Sequence, residues 1–214
     1  MKLLARPNGV RPFFMLLLMA FMATAMTAMQ VTQQPAAART ATETMDIGDE
    51  PGRISTEEVK ITEGPFARQM VFFRSSEAPG TVVVHTSERF LYIVAGNNRA
   101  LRYGLGVGRE GFQWSGLVRI SRKAEWPDWT PPPEMISRQP YLPRFMAGGP
   151  GNPMGARALY LGSTIYRIHG TNQPETIGHA VSSGCFRLAN GDVIDLFERV
   201  PVGTKVIIWH GPSV

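Results

Sequence analysis

The residue types that can carry out acyl transfer lie close together near the end of this chain of 214 residues. Cys185 is the only cysteine, and His169 precedes it by 16 positions. A nucleophilic thiol requires a base, a group that orients the base, and N–H groups that hold an oxyanion. Gly184 can take backbone angles that expose consecutive N–H groups, and His169 ends a predicted strand. The pattern therefore predicts a Cys–His dyad for covalent catalysis.

Other interpretations stay open from the residue types alone. A lone cysteine is often a small buried hydrophobic residue, and a lone histidine is often structural. Zinc would take three or four ligands, but no pair among Cys185 and the histidines, which include His85, His179 and His210, has a familiar ligand spacing. The glycine-rich stretch 103–108 is not followed by the helix of a dinucleotide site. We therefore predict no metal ion and no cofactor.

The N-terminal segment has the layout of an export signal. Basic residues precede an apolar stretch from Phe13 to about Met29 that ends in small residues. Residues 1–29 are therefore predicted to be a signal peptide or, without cleavage, an inner-membrane anchor. Residues 30–78 are polar or poorly periodic, which predicts a flexible tether and an irregular lead-in. Either option places the remainder of the chain in the periplasm or cell envelope.

Composition and charge favour a globular domain that does not bind nucleic acid. Hydrophobic residues make up 43% of the chain, and the net charge is +5. Three of these five charges come from Lys2, Arg6 and Arg11, so the rest of the chain is only weakly basic. Basic residues form no run elsewhere, which argues against a nucleic-acid partner.

Hydrophobic periodicity predicts the elements that position the dyad. Alternating apolar residues indicate strands over 81–86, 89–94 and 101–107, with Asn97-Asn98 as a hairpin turn. Residues 126–155, rich in Pro, Gly and Trp, are predicted to be a long surface loop with a short helix near Pro133. Further strands are predicted at 117–121, 157–162, 164–169 and 204–209, and an amphipathic helix at 190–200. The fold class is mostly β (mixed α+β), with a catalytic domain over 79–210.

The segment 168–209 resembles a known family, the L,D-transpeptidase (YkuD-like) catalytic domain. The family pattern is His-Gly, about fifteen residues, then Ser/Thr-x-Gly-Cys, an apolar residue, Arg, an apolar residue, any residue, and Asn. The chain matches it with His169-Gly170 and with Ser182-Ser183-Gly184-Cys185-Phe186-Arg187-Leu188-Ala189-Asn190. The opening hairpin and the stretch before the histidine strand are similar to the family as well, so the resemblance covers about 79–209.

The resemblance implies a β-sandwich with a long capping loop and one clear helix after the cysteine. It implies that Cys185 is the nucleophile, that His169 is its base, and that the Gly170 carbonyl orients the imidazole. The N–H groups of Gly184 and Cys185 would hold the oxyanion. Arg187 would anchor the site or a substrate carboxylate, and Ser182 would brace the loop or contact the substrate. Ser183 is expected to contact the substrate too, and Trp126 of the Trp-rich loop is expected to cover the substrate groove. The chain departs from many members at Ser183, where they carry histidine.

The resemblance also implies an activity in peptidoglycan biosynthesis and cell-wall organisation of an exported bacterial protein. The substrate would be a peptidoglycan stem tetrapeptide of the meso-diaminopimelate type, which acylates the cysteine and releases D-Ala. The acceptor stays open. A diaminopimelate amine would give a 3→3 cross-link, an outer-membrane lipoprotein lysine would tether the lipoprotein, and water would make the enzyme an L,D-carboxypeptidase. A non-catalytic wall-binding module is the remaining alternative.

Overall fold

The computed structural model describes residues 61–211, so the predicted export segment and most of the predicted tether lie outside the described residues. The two α-helices of this part are α1 (Pro133–Arg138) and α2 (Asn190–Arg199), and Gly64–Phe66 and Pro174–Thr176 form 3-10 turns. The strands are β1 (Gln69–Phe72), β2 (Val82–His85), β3 (Phe90–Gly96), β4 (Arg99–Gly104), β5 (Val107–Gly108), β6 (Gly116–Glu125), β7 (Arg157–Leu161), β8 (Arg167–His169), β9 (Ala180–Ser182), β10 (Phe186–Arg187) and β11 (Lys205–Trp209). Within 61–211 no helix has the length and apolar character needed to span a bilayer.

Strands β2, β3 and β4 form an antiparallel meander, as the alternating apolar pattern predicts. The turn between β3 and β4 lies at Asn97 and Asn98, whose φ angles are 52° and 55°. Asn tolerates this left-handed region better than most residues because its short polar side chain can bond locally. The predicted hairpin turn is confirmed.

Strand β6 joins the two halves of a nine-stranded sheet with the order β1-β4-β3-β2-β11-β6-β7-β8-β10. Its first half pairs with β11 and its second half with β7, and the register shifts between Ile120 and Arg122. A strand that changes partners at such an irregularity turns a corner between two sheets. β5 and β9 pair separately.

The two halves face each other across one apolar core, which confirms the mostly β sandwich. Helix α2 packs Val193 and Leu196 into this core, which follows from its amphipathic pattern. Fully buried side chains come from both halves of the sheet, among them Val82, Leu91, Tyr103, Leu159, Ile168 and Phe186.

The predicted lead-in contains a strand that the sequence did not reveal. β1 pairs with β4 at the edge of the sheet, so residues 69–72 add a strand to the sheet ahead of the predicted start of the catalytic domain at 79. The segment before β1 is tied to α2, because the Thr62 N–H donates to Asp192 at 2.9 Å and Arg68 forms an ion pair with Asp195 at 3.0 Å.

The segment 126–156, which we call the lid, carries the predicted short helix as α1. It has a small core of its own, formed by Trp129, Met135, Leu142 and Met154 against β7. An isolated bridge between Trp129 and Met146 closes the loop on itself, with N···O distances of 2.8 Å. The lid is therefore a packed structure and not an open excursion.

Candidate active site

His169 ends β8, between β7 and β10, and is 4% exposed. Its Nδ1 lies 2.6 Å from the Gly170 carbonyl oxygen, which can only accept a hydrogen bond. This contact selects the tautomer with the proton on Nδ1, so Nε2 keeps its lone pair. The Gly170 carbonyl thus orients the imidazole in the way that the sequence predicts.

The surroundings of His169 favour the neutral imidazole. Burial, followed by the charge of Arg187, lowers the pKa of His169 from its usual 6.5 to about 3. Arg187 is the register partner of His169 in the parallel pairing of β10 with β8. The ring is therefore a proton acceptor over the whole physiological range.

Cys185 follows β9 in a short loop that the Ser182 side chain braces. The Ser182 hydroxyl donates to the Cys185 carbonyl at 2.6 Å and accepts the Gly184 N–H at 3.2 Å. Gly184 has a φ of 106°, and a Cβ there would lie 2.6 Å from the Tyr166 ring. Only glycine fits this position, and the Trp114 indole fixes it further by donating to the Gly184 carbonyl at 3.3 Å.

The thiol and the imidazole line one cavity, which lies under the lid. Tyr166 forms part of its wall and stacks on Trp114 with ring centroids 4.6 Å apart. Ser183 also lines it. The lid supplies an apolar side of the cavity through Trp129, Pro132, Met135 and Met154. Chemically, the arrangement combines a thiol, an imidazole held by a backbone carbonyl, and an apolar wall, which are the parts that a nucleophilic thiol requires.

Two substrate-contact predictions conflict with the geometry. Arg187 is 1% exposed, so its guanidinium cannot meet a substrate carboxylate at the surface; its position predicts an influence on His169 instead. Ser182 is also 1% exposed, and its hydroxyl is used by the loop. The Gly184 N–H, predicted to face an oxyanion, donates to Ser182 in this structure.

The lid tryptophan that reaches the cavity is Trp129 and not Trp126. Trp126 lies at the first position of the lid with a φ of 38°, and its backbone N–H donates to the Ala156 carbonyl. Trp129 is buried and lines the cavity. Pro-rich sequence has no periodicity from which the inward side could have been read.

Asn190 has a structural role that the sequence did not suggest. Asn is a preferred helix-capping residue, but here the cap residue is Ala189 and no side-chain capping bond forms. Instead, Asn190 Oδ1 accepts the N–H groups of Ala156 and Thr171 at 3.0 and 3.2 Å. It therefore joins the end of the lid to the backbone that follows His169. Its partners are 34 and 19 residues away in sequence, so no local pattern marks them.

Residues 79–208 match the family model for the L,D-transpeptidase catalytic domain. The chain is 41% identical over 138 residues to the "Probable L,D-transpeptidase ErfK/SrfK" of Escherichia coli, a match that covers 61% of this chain and 44% of that protein. It is 48% identical over 134 residues to the "Putative L,D-transpeptidase YqjB" of Bacillus subtilis, covering 59% of this chain and 69% of that protein. The chain thus spans less than half of the E. coli relative.

Solved structures give weaker likenesses. A Brucella melitensis structure titled as a probable carnitine operon oxidoreductase is 46% identical, covers 69% of this chain and 96% of its own, and has a TM-score of 0.46. The catalytic domain of the E. faecium L,D-transpeptidase is 18% identical, covers 63% of this chain and 100% of its own, and has a TM-score of 0.49. Both TM-scores fall below 0.5, so the family assignment depends on the family model and the curated relatives.

Proposed function

The chain belongs to the family of L,D-transpeptidase catalytic domains, and we propose that it is a peptidoglycan L,D-transpeptidase that acts through a thioester on Cys185. The observation that carries the proposal is the shared cavity of Cys185 and His169, with the His169 tautomer fixed by the Gly170 carbonyl. We propose a peptidoglycan stem tetrapeptide as donor. The proposal for the donor follows from the family to which the chain belongs.

In the acylation step, Sγ of Cys185 attacks the carbonyl carbon between diaminopimelate and D-Ala, and the thiol proton passes to Nε2 of His169. The C–N bond breaks, the leaving amine takes that proton, and D-Ala departs. We propose the Cys185 N–H as an oxyanion donor, as the resemblance to the family implies; the Gly184 N–H donates to Ser182 in this structure. Collapse of the tetrahedral intermediate leaves a thioester and a neutral imidazole.

In the second step an acceptor amine attacks the thioester carbonyl and loses its proton to Nε2 of His169. The C–S bond breaks, and the thiolate recovers the proton. We propose a diaminopimelate side-chain amine as acceptor, which yields a 3→3 cross-link. A lipoprotein lysine would react in the same way, and water would release a tripeptide.

The test is mass spectrometry of purified tetrapeptide muropeptides incubated with the full chain, beside Cys185→Ala and His169→Gln variants. Dimers that lack one D-Ala, formed by the wild type alone, support cross-linking. Tripeptide without dimers, again dependent on Cys185, would indicate trimming or a lipoprotein acceptor that is missing from the tube. An unchanged substrate with the wild type would contradict the catalytic proposal and favour a wall-binding module.

We also propose that the protein works in the periplasm or cell envelope. The apolar stretch from Phe13 to Met29 supports export, and the proposed substrate lies outside the cytoplasm. A reporter that is active only after export, fused to residue 214, should be active with the intact chain and inactive when residues 2–29 are deleted. Activity in both, or in neither, would contradict the proposal.

A further inference from the structure

Two arginines meet over one aromatic ring at the edge of the proposed active site. The guanidinium carbon of Arg138 lies 4.8 Å from the ring centroid of Phe112, and that of Arg109 lies 4.6 Å from it. Arg138 is the last residue of α1 in the lid, whereas Arg109 and Phe112 belong to the loop after β5. The contact therefore bridges the two sides of the cleft.

Arg138 on one side and Arg109 on the other both contact the loop that carries Cys185. Nη2 of Arg138 lies 3.4 Å from the hydroxyl of Ser183, which lines the Cys185 cavity. On the other side, the backbone N–H of Arg109 donates to the Ser182 carbonyl at 3.0 Å. The Phe112 carbonyl packs so closely on Gly184 that a Cβ there would be 3.0 Å from it. The Arg138 guanidinium thus lies beside the residues directly before the thiol, and the Arg109 guanidinium shares the Phe112 ring with it.

The charges of neighbouring arginines act on Arg109 at this edge of the site. Burial and then the charges of Arg138 and Arg187 lower the pKa of Arg109, which means that these two cations repel the Arg109 guanidinium. Like charges held together at a cleft are relieved by a bound anion. Arginine is suited to a carboxylate because its planar fork makes two parallel hydrogen bonds.

We propose that Arg138 and Arg109 form a carboxylate-binding subsite for the stem peptide, a role that the sequence had suggested for the buried Arg187. The inference rests on the proposed function, since it deepens the recognition of the same substrate. A stem tetrapeptide carries a carboxylate on its terminal D-Ala, one residue beyond the scissile carbonyl, and another on the side chain of diaminopimelate. Either would lie within reach of a group beside Ser183 while the scissile carbonyl faces Cys185.

The experiment measures binding and turnover separately, with the full chain throughout. Calorimetric titration of tetrapeptide into the Cys185→Ala variant reports binding without chemistry. Arg138→Gln in that background should weaken binding about tenfold, because one charge-assisted contact is lost. Arg138→Lys should lose less, since it retains the charge but not the fork. Arg144→Gln, an exposed arginine of the same lid, is the charge-matched control and should bind as before.

Modified ligands identify which carboxylate is bound. We would titrate two modified tetrapeptides, one with a C-terminal amide and one with an amidated diaminopimelate side chain. Each is titrated into the Cys185→Ala variant with and without Arg138→Gln. The ligand that lacks the recognised carboxylate should bind weakly and should be insensitive to Arg138→Gln. If Arg138→Gln leaves the affinity for the free acid unchanged, or weakens all three ligands equally, the subsite is refuted.

Turnover by the chain with Cys185 intact separates this inference from the proposed function. Normal turnover with no dependence of KM on Arg138 refutes the subsite and leaves the transpeptidase proposal standing. Carboxylate-dependent binding without turnover supports the subsite and contradicts the catalytic proposal. Absence of both binding and turnover refutes both.

Discussion

Replacing Asn190 with alanine should destabilise the protein through the backbone that holds His169. Asn190 is 5% exposed, and its Oδ1 is the acceptor for the N–H groups of Ala156 and Thr171. The neighbouring Gly155 and Gly170 are packed around it, since a Cβ at either position would lie 2.3 Å from this oxygen. One side-chain atom therefore joins three segments: the end of the lid, the residues after β8, and the start of α2.

The magnitude follows from the two donors that lose their acceptor. Each buried N–H left unsatisfied costs about 1–3 kcal/mol. We expect a total of about 3 kcal/mol, because a water molecule can enter the space left by the amide and satisfy part of the loss. For a domain of this size, about 3 kcal/mol lowers Tm by roughly 6–12 °C.

Thermal unfolding followed by circular dichroism measures this loss, with Asn190→Asp as the matched variant. Asp retains an oxygen acceptor for both N–H groups and places negative charge in the first turn of α2, where the helix dipole favours it. Its loss of Tm should therefore be the smaller one. Asn190→Ala should also turn over substrate about tenfold more slowly well below its own Tm, because the base is displaced. An Ala variant as stable as the wild type, or an Asp variant as unstable as Ala, would refute the reasoning.

Three further outcomes are expected. Ser182→Ala should reduce turnover with little change in fold, and Ser182→Thr should restore it because the bracing hydroxyl returns; equal turnover in all three proteins would contradict this. The free energy of unfolding should fall as the pH drops from 6.5 toward 3, because the unfolded chain protonates His169 while the folded state does not. In His169→Gln the free energy of unfolding, measured by chemical denaturation, should depend less on pH in that window; the same pH dependence as in the wild type would count against it. A chain that starts at Pro79 should melt below one that starts at Ile61, because it loses β1 and the N–H contact to the fully buried Asp192; equal Tm values would show that the lead-in does not stabilise the fold.

Elements with strong local patterns could be predicted from the sequence. The β2–β4 meander and α2 follow from periods of 2 and 3.6, and the Asn97-Asn98 turn follows from the tolerance of Asn for positive φ. β1 could not be predicted, because its register with β4 leaves two of its apolar side chains exposed, Met70 at 49% and Phe72 at 72%. An edge strand without an alternating buried face has no local signal.

The site was predictable in identity but not in detail. Cys185 and His169 could be paired because the motif spacing is specific, whereas the inward tryptophan and the contacts of Asn190 depend on non-local packing. The corner in β6 is a further example, since the partner of β6 changes from β11 to β7 after Arg119 and the register with β7 shifts between Ile120 and Arg122. Local residue types in β6 contain no information about which strand will pair with each half.

Arg187 shows most clearly how burial changes the chemistry that a residue type suggests. An arginine two residues after a proposed nucleophile suggests a side chain that binds a substrate anion. Arginine is almost never fully buried unless it is paired. Here it is buried against the base, and together with burial its charge keeps the pKa of His169 far below neutral pH. A resting thiolate–imidazolium pair is therefore disfavoured. For the proposed reaction we therefore propose that the proton passes to His169 as the thiol attacks a bound carbonyl and negative charge forms beside the ring.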